Sequence, residues 1–328
     1  SSKDVSNNIP KWEQENVHYI CLKWPNKFLN LLVWLRFVKL DNLINKKLDY
    51  WFSPNLNFTN LSKRVKHIQT IHDLSFEIMP ECFSKKRQWW HKFLNPKKQC
   101  KKANIILTPS ENTKHDVVNI WQISDSKIQV LYPGLSSSFR SQISDCRFDK
   151  IKEKYDLPEK YILYLGTLEP RKNIEGFIQA YKQLKGGKCG LIIAGSKGWK
   201  YEDIMKMIEK TNGVRYIGYI EEEEKQELYK NSSLFVYPSL YEGFGLPVLE
   251  AMACGVPVIT SNRSSLPEVV RNSAYLLNPY NVDEITRGVR EVLQNEKIRG
   301  QIIQKQKKQV EKFSWDKTAE EFIKLICV

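Results

Sequence analysis

From Lys66 onward, short apolar runs alternate with amphipathic stretches, and this alternation limits the available folds more than any other feature. HIQTIHDLSF reads as a buried strand ending in a polar tip. ANIILTPS is an apolar run closed by Pro109 and Ser110, and Ser110 is placed to cap a helix over ENTKHDVVNIW. KIQVLYPG is a third strand that ends in a Pro-Gly turn. After a polar stretch over Ser136 to Lys154 a second series begins. It runs YILYLGT, helix IEGFIQAYKQL, GLIIAG, helix EDIMKMIEKTN, VRYIGYI, helix EEEKQELYKN, SLFVYPS, helix LPVLEAMACG and PVITS. Strand–helix alternation at this spacing predicts parallel sheets covered by helices. Two series predict an α/β protein of two doubly wound, Rossmann-like domains facing a cleft, with ligands at the carboxyl ends of the strands. The expected division is 1–150, 151–312 and a terminal helix over 313–328. No G-x-G-x-x-G follows a strand, so a standard dinucleotide site is not supported.

Composition narrows the class further. The 328 residues are 41% hydrophobic and 27% charged, enough to bury the cores of about two domains. The longest apolar run, Phe28 to Leu35, carries Asn30 and falls well short of the roughly 20 residues that span a bilayer. The opening SSKDVSNNIP lacks the basic-then-apolar order of a signal peptide. Seven cysteines, an odd number with no C-x-x-C, read as reduced thiols and point to the cytoplasm.

The net charge of +14 is uneven: residues 1–150 hold 24 Lys/Arg against 13 Asp/Glu, and residues 151–328 hold 27 against 24. The densest stretch, KKRQWWHKFLNPKKQCKK, has eight basic residues and no acid. Lys85, Lys86, Arg87 and Lys92 surround Trp89 and Trp90 there, a pattern suited to an anionic surface such as lipid headgroups. The plain alternative is a solvated helix face with its aromatics in the core. Lys23 to Phe52 mixes large apolar groups with Lys and Arg, and Leu29, Leu32, Phe37 and Leu40 fit one helical face. Core packing is the simpler reading of that face, with insertion into a headgroup layer as the alternative. The basic character also raises nucleic-acid binding, but no nucleic-acid motif is present.

The segment SLYEGFGLPVLEAMACGVPVITSN carries the chemistry. A buried strand delivers the chain to a turn at Tyr241 to Gly245, where Gly243 and Gly245 allow backbone amides to approach a ligand. A helix starting near Pro247 aims its amides and positive dipole end at the cleft, an arrangement suited to a diphosphate. Glu242 lies in the turn and Glu250 about one turn into the helix, so both can face one ligand.

This segment resembles the E-x(7)-E signature of retaining family 4 glycosyltransferases of the GT-B fold. The wider order agrees from residue 65 to the end: IHDLSF, ANIILTPSENTKHDV, VLYPG, YLGTLEPRKN, EGFGLPVLE and FSWDKTAEEF. The likeness is greatest to bacterial mannosyltransferase-like members acting on polysaccharide or lipopolysaccharide precursors. The resemblance implies that Glu250 accepts the ribose hydroxyls and Glu242 holds hydroxyls of the donor sugar. It implies that amides from Phe244 to Leu246 cradle the distal phosphate, with Lys172 and Arg171 neutralising the leaving diphosphate. His72 would reach the donor sugar. The base would lie near Gly195 and Tyr216 to Ile220, Tyr219 among them, with Gly166 and Thr167 at the strand end nearby. The helix over 313–328 would cross back to the first domain.

The expected activity is a hexosyl transfer with retention, from a nucleotide sugar (GDP-mannose first) to an anionic or lipid-linked glycan acceptor at the inner membrane face. No cofactor is called for. No D-x-D occurs, so cations and amides take the role a metal would otherwise fill. The alternative is a non-catalytic subunit that binds a nucleotide sugar or an anionic lipid. Two departures from the family pattern stand out. Thr167 occupies a position that is Arg in many members, and no glycine precedes Gly134, so the family's first strand and glycine loop are missing from this sequence. Glu268 is assigned no site role, and Asp73 is read as a brace for its turn or a substrate contact.

Overall fold

A computed structural model describes residues 16–327 except 21, 23, 45, 141–147 and 185–188. The opening SSKDVSNNIP, Lys23, and residues 141–147 of the polar stretch lie outside the described residues. The chain divides into two compact units. One comprises residues up to Ile71 with His91–Leu107, and the other His72–Trp90 with everything from Thr108 on.

In the first unit, helix α1 (Asn26–Trp34) precedes strands β1 (Tyr50–Ser53) and β2 (Lys66–Thr70), which pair in parallel. Helix α2 (Ser75–Ile78) is a single turn of the second unit, and α3 (Lys85–Leu94) has residues in both. Helix α4 (Pro96–Lys102) leads into β3 (Ile105–Thr108), which pairs in parallel with β2. The helical face expected over Leu29, Leu32, Phe37 and Leu40 does not form. Arg36 takes a left-handed conformation, φ 64°, and ends the helix, leaving Phe37 76% exposed. Val33 is the buried residue of α1, so core packing does not account for its apolar side chains. Helix α3 buries Leu94 and exposes Trp89, Trp90 and Phe93, against the plain alternative in which its aromatics enter a core.

The second unit continues with α5 (Glu111–Trp121), β4 (Ile128–Val130) and α6 (Phe148–Lys154). Ser110 caps α5 as expected, its Oγ accepting from the Thr113 N–H. The strand–helix series follows as β5 (Tyr161–Leu165), α7 (Ile174–Gln183), β6 (Gly190–Ala194), α8 (Glu202–Glu209), β7 (Val214–Tyr216), α9 (Glu222–Lys230), β8 (Leu234–Tyr237), α10 (Leu246–Ala253) and β9 (Val258–Ser261). It is completed by α11 (Leu266–Val270), β10 (Tyr275–Leu277), α12 (Val282–Gln294), α13 (Glu296–Val310) and α14 (Trp315–Ile326). Six parallel strands form one sheet in the order β10-β9-β8-β5-β6-β7. YILYL, LFVY and VITS are buried at every position, as a sheet covered on both faces requires. The order reverses direction between β5 and β8, which opens a crevice at the carboxyl ends of those two strands.

Phe313 packs edge-on against Tyr132 and Phe244, and Thr318 of α14 donates to the Tyr132 carbonyl at 2.6 Å. The start of α14 therefore rests on residues 132–135. Trp315 and Ile323 of α14 are exposed.

Candidate active site

The chain leaves β8 and bends through Tyr241 to Gly245 before α10. Gly243 lies so close to the preceding wall that a β-carbon there would sit 1.9 Å from the His72 carbonyl oxygen. No side chain fits, which is why this bend needs glycine. The Gly243 carbonyl accepts from Ser110 Oγ at 2.7 Å, so the residue that caps α5 also pins the bend. Ser264 Oγ accepts from the Glu242 N–H at 2.8 Å, and Ser265 Oγ donates to the Glu242 carbonyl at 2.9 Å. Gly245 begins α10 with φ 115°, and Pro247 falls in its first turn.

Behind the bend lies a cluster of four charges, with Glu169, Lys172 and Glu242 buried and Arg171 half-buried. Lys172 Nζ donates to Glu242 Oε1 at 2.6 Å and to Tyr237 Oη at 2.8 Å. Arg171 donates to Glu242 Oε2 at 3.1 Å, to the Tyr241 carbonyl at 2.7 Å and to Glu169 Oε1 at 2.7 Å. Burial alone would raise the Glu242 carboxyl, but the Lys172 ammonium and Arg171 guanidinium overcome it and hold the group at about 2. The pair is therefore ionised.

These elements line a cleft of about 460 Å³. His72 enters after β2, Gly166 and Thr167 after β5, and Gly195 after β6. Lys172, Glu242, Gly243, Phe244, Gly245, Leu246 and Glu250 complete one side, and the exposed Tyr219 stands at another. Arg171 does not line the cleft; its guanidinium braces the two carboxylates behind Lys172. Asp73 lines the cleft and also accepts from the Ser75 N–H and Oγ, so it braces its turn. Glu268 caps α5 instead, accepting from the N–H groups of Glu111 and Asn112 and from Tyr132 Oη.

Arg87 of the basic stretch lies over the Trp199 ring at 4.0 Å, so part of that stretch is engaged within the second unit. Lys85, Lys86, Trp89, Trp90 and Lys92 are exposed.

The sequence reading missed Lys225 and Tyr229, both on α9. Tyr229 Oη donates to Glu250 Oε2 at 2.9 Å and orients that carboxylate, and Lys225 lines the cleft. No local signal marks either residue, because their partner lies more than 20 residues away. Burial pushes the Glu250 carboxyl above its ordinary 4.5, against the pull of Tyr229 and Lys225. A hydroxyl-bearing ligand held by the ionised carboxylate should therefore bind more weakly as pH falls, beginning above pH 4.5. Tyr229→Phe removes a hydrogen bond to the charged form and should move this loss to higher pH. Ligand dissociation constants measured against pH for both proteins check the shift; coincident profiles would contradict it.

Residues 147–309 match the family described as glycosyl transferases group 1, and residues 14–139 match glycosyltransferase family 4. O-antigen chain mannosyltransferase B of Escherichia coli is 35% identical over 277 residues, which cover 82% of this chain and 71% of that protein. The chain belongs to the family 4 glycosyltransferases. A second relative of this glycosyltransferase, the E. coli serotype-specific mannosyltransferase WbdA, is 32% identical over 236 residues, 69% of this chain but only 29% of WbdA. In structure the glycosyltransferase is similar to Anabaena Alr3699/HepE, solved with UDP and glucose, with TM-score 0.68, 18% identity, and coverage of 80% and 72%. Its two parallel-sheet units have the GT-B fold. Among the described residues, no helix is long and apolar enough to cross a membrane.

Proposed function

We propose that this glycosyltransferase moves mannose from GDP-mannose, with retention, to a lipid-linked polysaccharide or lipopolysaccharide precursor at the cytoplasmic face of a membrane. The observation that carries the reading is the convergence of Glu242, Glu250, Lys172, His72 and the N-terminus of α10 on one cleft. Glu250, oriented by Tyr229, accepts the two ribose hydroxyls. The amides of Phe244 to Leu246 and the positive end of α10 receive the distal phosphate. Lys172 lies 2.6 Å from Glu242 and so serves both the sugar-side carboxylate and the departing diphosphate.

In the transfer, the bond from the sugar's anomeric carbon to the diphosphate oxygen breaks. The acceptor hydroxyl oxygen bonds that carbon from the same face, and its proton passes to the leaving diphosphate. Charge separates as the bond stretches: the sugar becomes cationic and the diphosphate gains negative charge. Lys172 and the α10 amides are fixed before the reaction, so stabilising that anion costs little reorganisation. Glu242 faces the cationic sugar and steadies it without forming a covalent bond. The metal-free character of this scheme is part of the proposal.

Mannose rests on the mannosyltransferase relatives; the base has no assigned reader residue. A thermal-shift panel of GDP, UDP and ADP sugars tests it. A donor at about 100 times its dissociation constant adds roughly 2.7 kcal/mol of stability, a readily measured rise in Tm. GDP-mannose is expected to give the largest shift. A larger shift with another sugar nucleotide would replace the donor, and no shift with any would remove the donor site.

A further inference from the structure

The first unit carries its own cavity of about 790 Å³. Lys63 and Val65 precede β2 and Asn104 precedes β3, so the cavity sits at the amino ends of these strands. Its lining contains no Asp or Glu, but includes Arg36, Lys39, Lys63, Lys98 and Lys102. Among the described residues none of these five forms an ion pair. The carboxylate nearest in sequence, Asp41, is committed to the wall: it is buried and accepts from both the N–H and Oγ of Ser62. Burial draws the Lys102 ammonium below its ordinary value, and the nearby Arg36 and Lys98 charges add to it. A phosphate group would relieve the repulsion among these cations.

The rim has a different character. Trp34 and Phe93 line the cavity and meet edge-on at 6.1 Å, both exposed. Leu31, Leu35 and Phe37 are exposed along the same end of α1 and the turn after it. A site for free phosphate gains nothing from an apolar rim, whereas a site for a headgroup needs one, because flanking side chains then enter the interfacial layer.

We propose that this cavity binds the phosphate of an anionic lipid headgroup, with the apolar side chains at the end of α1 entering the membrane interface around it. The inference rests on the membrane part of the function proposed above and is independent of the transfer chemistry. It gives that contact a built pocket that shares Lys92 with the Lys85 to Lys92 stretch but not Lys85 or Lys86.

Sedimentation of the full chain with vesicles of phosphatidylcholine, alone or with added phosphatidylglycerol, tests it. Three variants are compared with the wild type: R36Q/K98Q/K102Q, K85Q/K86Q and Phe37→Ser, each checked for an unchanged Tm. Anionic vesicles should bind the wild type, and R36Q/K98Q/K102Q should weaken this by about 100-fold, at roughly five-fold per basic residue. Phe37→Ser should weaken binding in a way that added salt does not reproduce. Wild-type affinity in folded R36Q/K98Q/K102Q, with loss confined to K85Q/K86Q, would overturn the pocket and leave the membrane reading intact. Equal binding to both vesicle types, or to neither, would overturn both. Inorganic phosphate that protects Lys98 and Lys102 from acylation, with no vesicle preference, would likewise overturn the lipid assignment.

Discussion

Lys172→Ala should sharply slow transfer and destabilise the fold together. Its ammonium is the partner of Glu242 Oε1 at 2.6 Å, and both groups are buried. Removing one member of such a pair leaves an uncompensated charge, at a cost of about 3–5 kcal/mol. Removing a fixed donor from the site of developing negative charge should lower turnover by roughly 100- to 1,000-fold. The two losses are separable. Lys172→Met combined with Glu242→Gln replaces the ion pair by neutral groups, so it should recover most of the stability and none of the turnover. Turnover restored in the double variant would show that Lys172 acts only on stability. The same pair sets an acid limit. The Glu242 carboxyl is held at about 2 in the folded chain, so its contribution is complete above its ordinary 4.5 and is lost as pH falls toward 2. Glu242→Gln should flatten that part of the stability profile, as read from denaturant midpoints against pH.

Gly243→Ala is expected to be nearly as severe for a purely steric reason. The added methyl would lie 1.9 Å from the His72 carbonyl oxygen and 3.0 Å from Asp73 Cβ, against backbone that cannot rotate away. The bend must shift, and it carries Glu242 and the start of α10 with it. Forced overpacking of this kind costs about 1–3 kcal/mol. That corresponds to a fall in Tm of roughly 2–10 °C. Displacement of about 1 Å at a reacting centre costs around 100-fold in rate. Parallel measurement of Tm and turnover should show both; an active, stable Gly243→Ala would mean the close approach is not maintained in solution.

The second unit was legible where its strands are continuous apolar runs. YILYL, LFVY and VITS have no alternation to mistake, and Ser110 announced the start of α5. Between PVITS and the terminal helix over 313–328 the elements went unread, although Asn281 caps α12 by accepting from the Glu284 N–H. The first unit was harder, because one residue decided it. Arg36 in a left-handed conformation ends α1, and Phe37 and Leu40 then leave the helical face their spacing suggested. A positive φ at an arginine has no sequence signature. In the site, Arg171 and Lys172 belong to one tight turn, Pro170–Lys172, and sequence alone does not tell which side chain faces the cleft. Lys172 lines it, and Arg171 reaches back to Glu169 and Tyr241. The roles of Tyr229 and Ser110 depend on partners 21 and 133 residues away, which only the folded chain brings near.

Calorimetric titration of GDP-mannose into the wild type and into Glu250→Ala addresses the grip on the nucleotide directly. A buried carboxylate that accepts ribose hydroxyls contributes about 1.5–3 kcal/mol through charged hydrogen bonds, so its removal should raise the dissociation constant by roughly 10- to 150-fold. Wild-type affinity in a folded Glu250→Ala chain would contradict the assignment of this cleft to a sugar nucleotide.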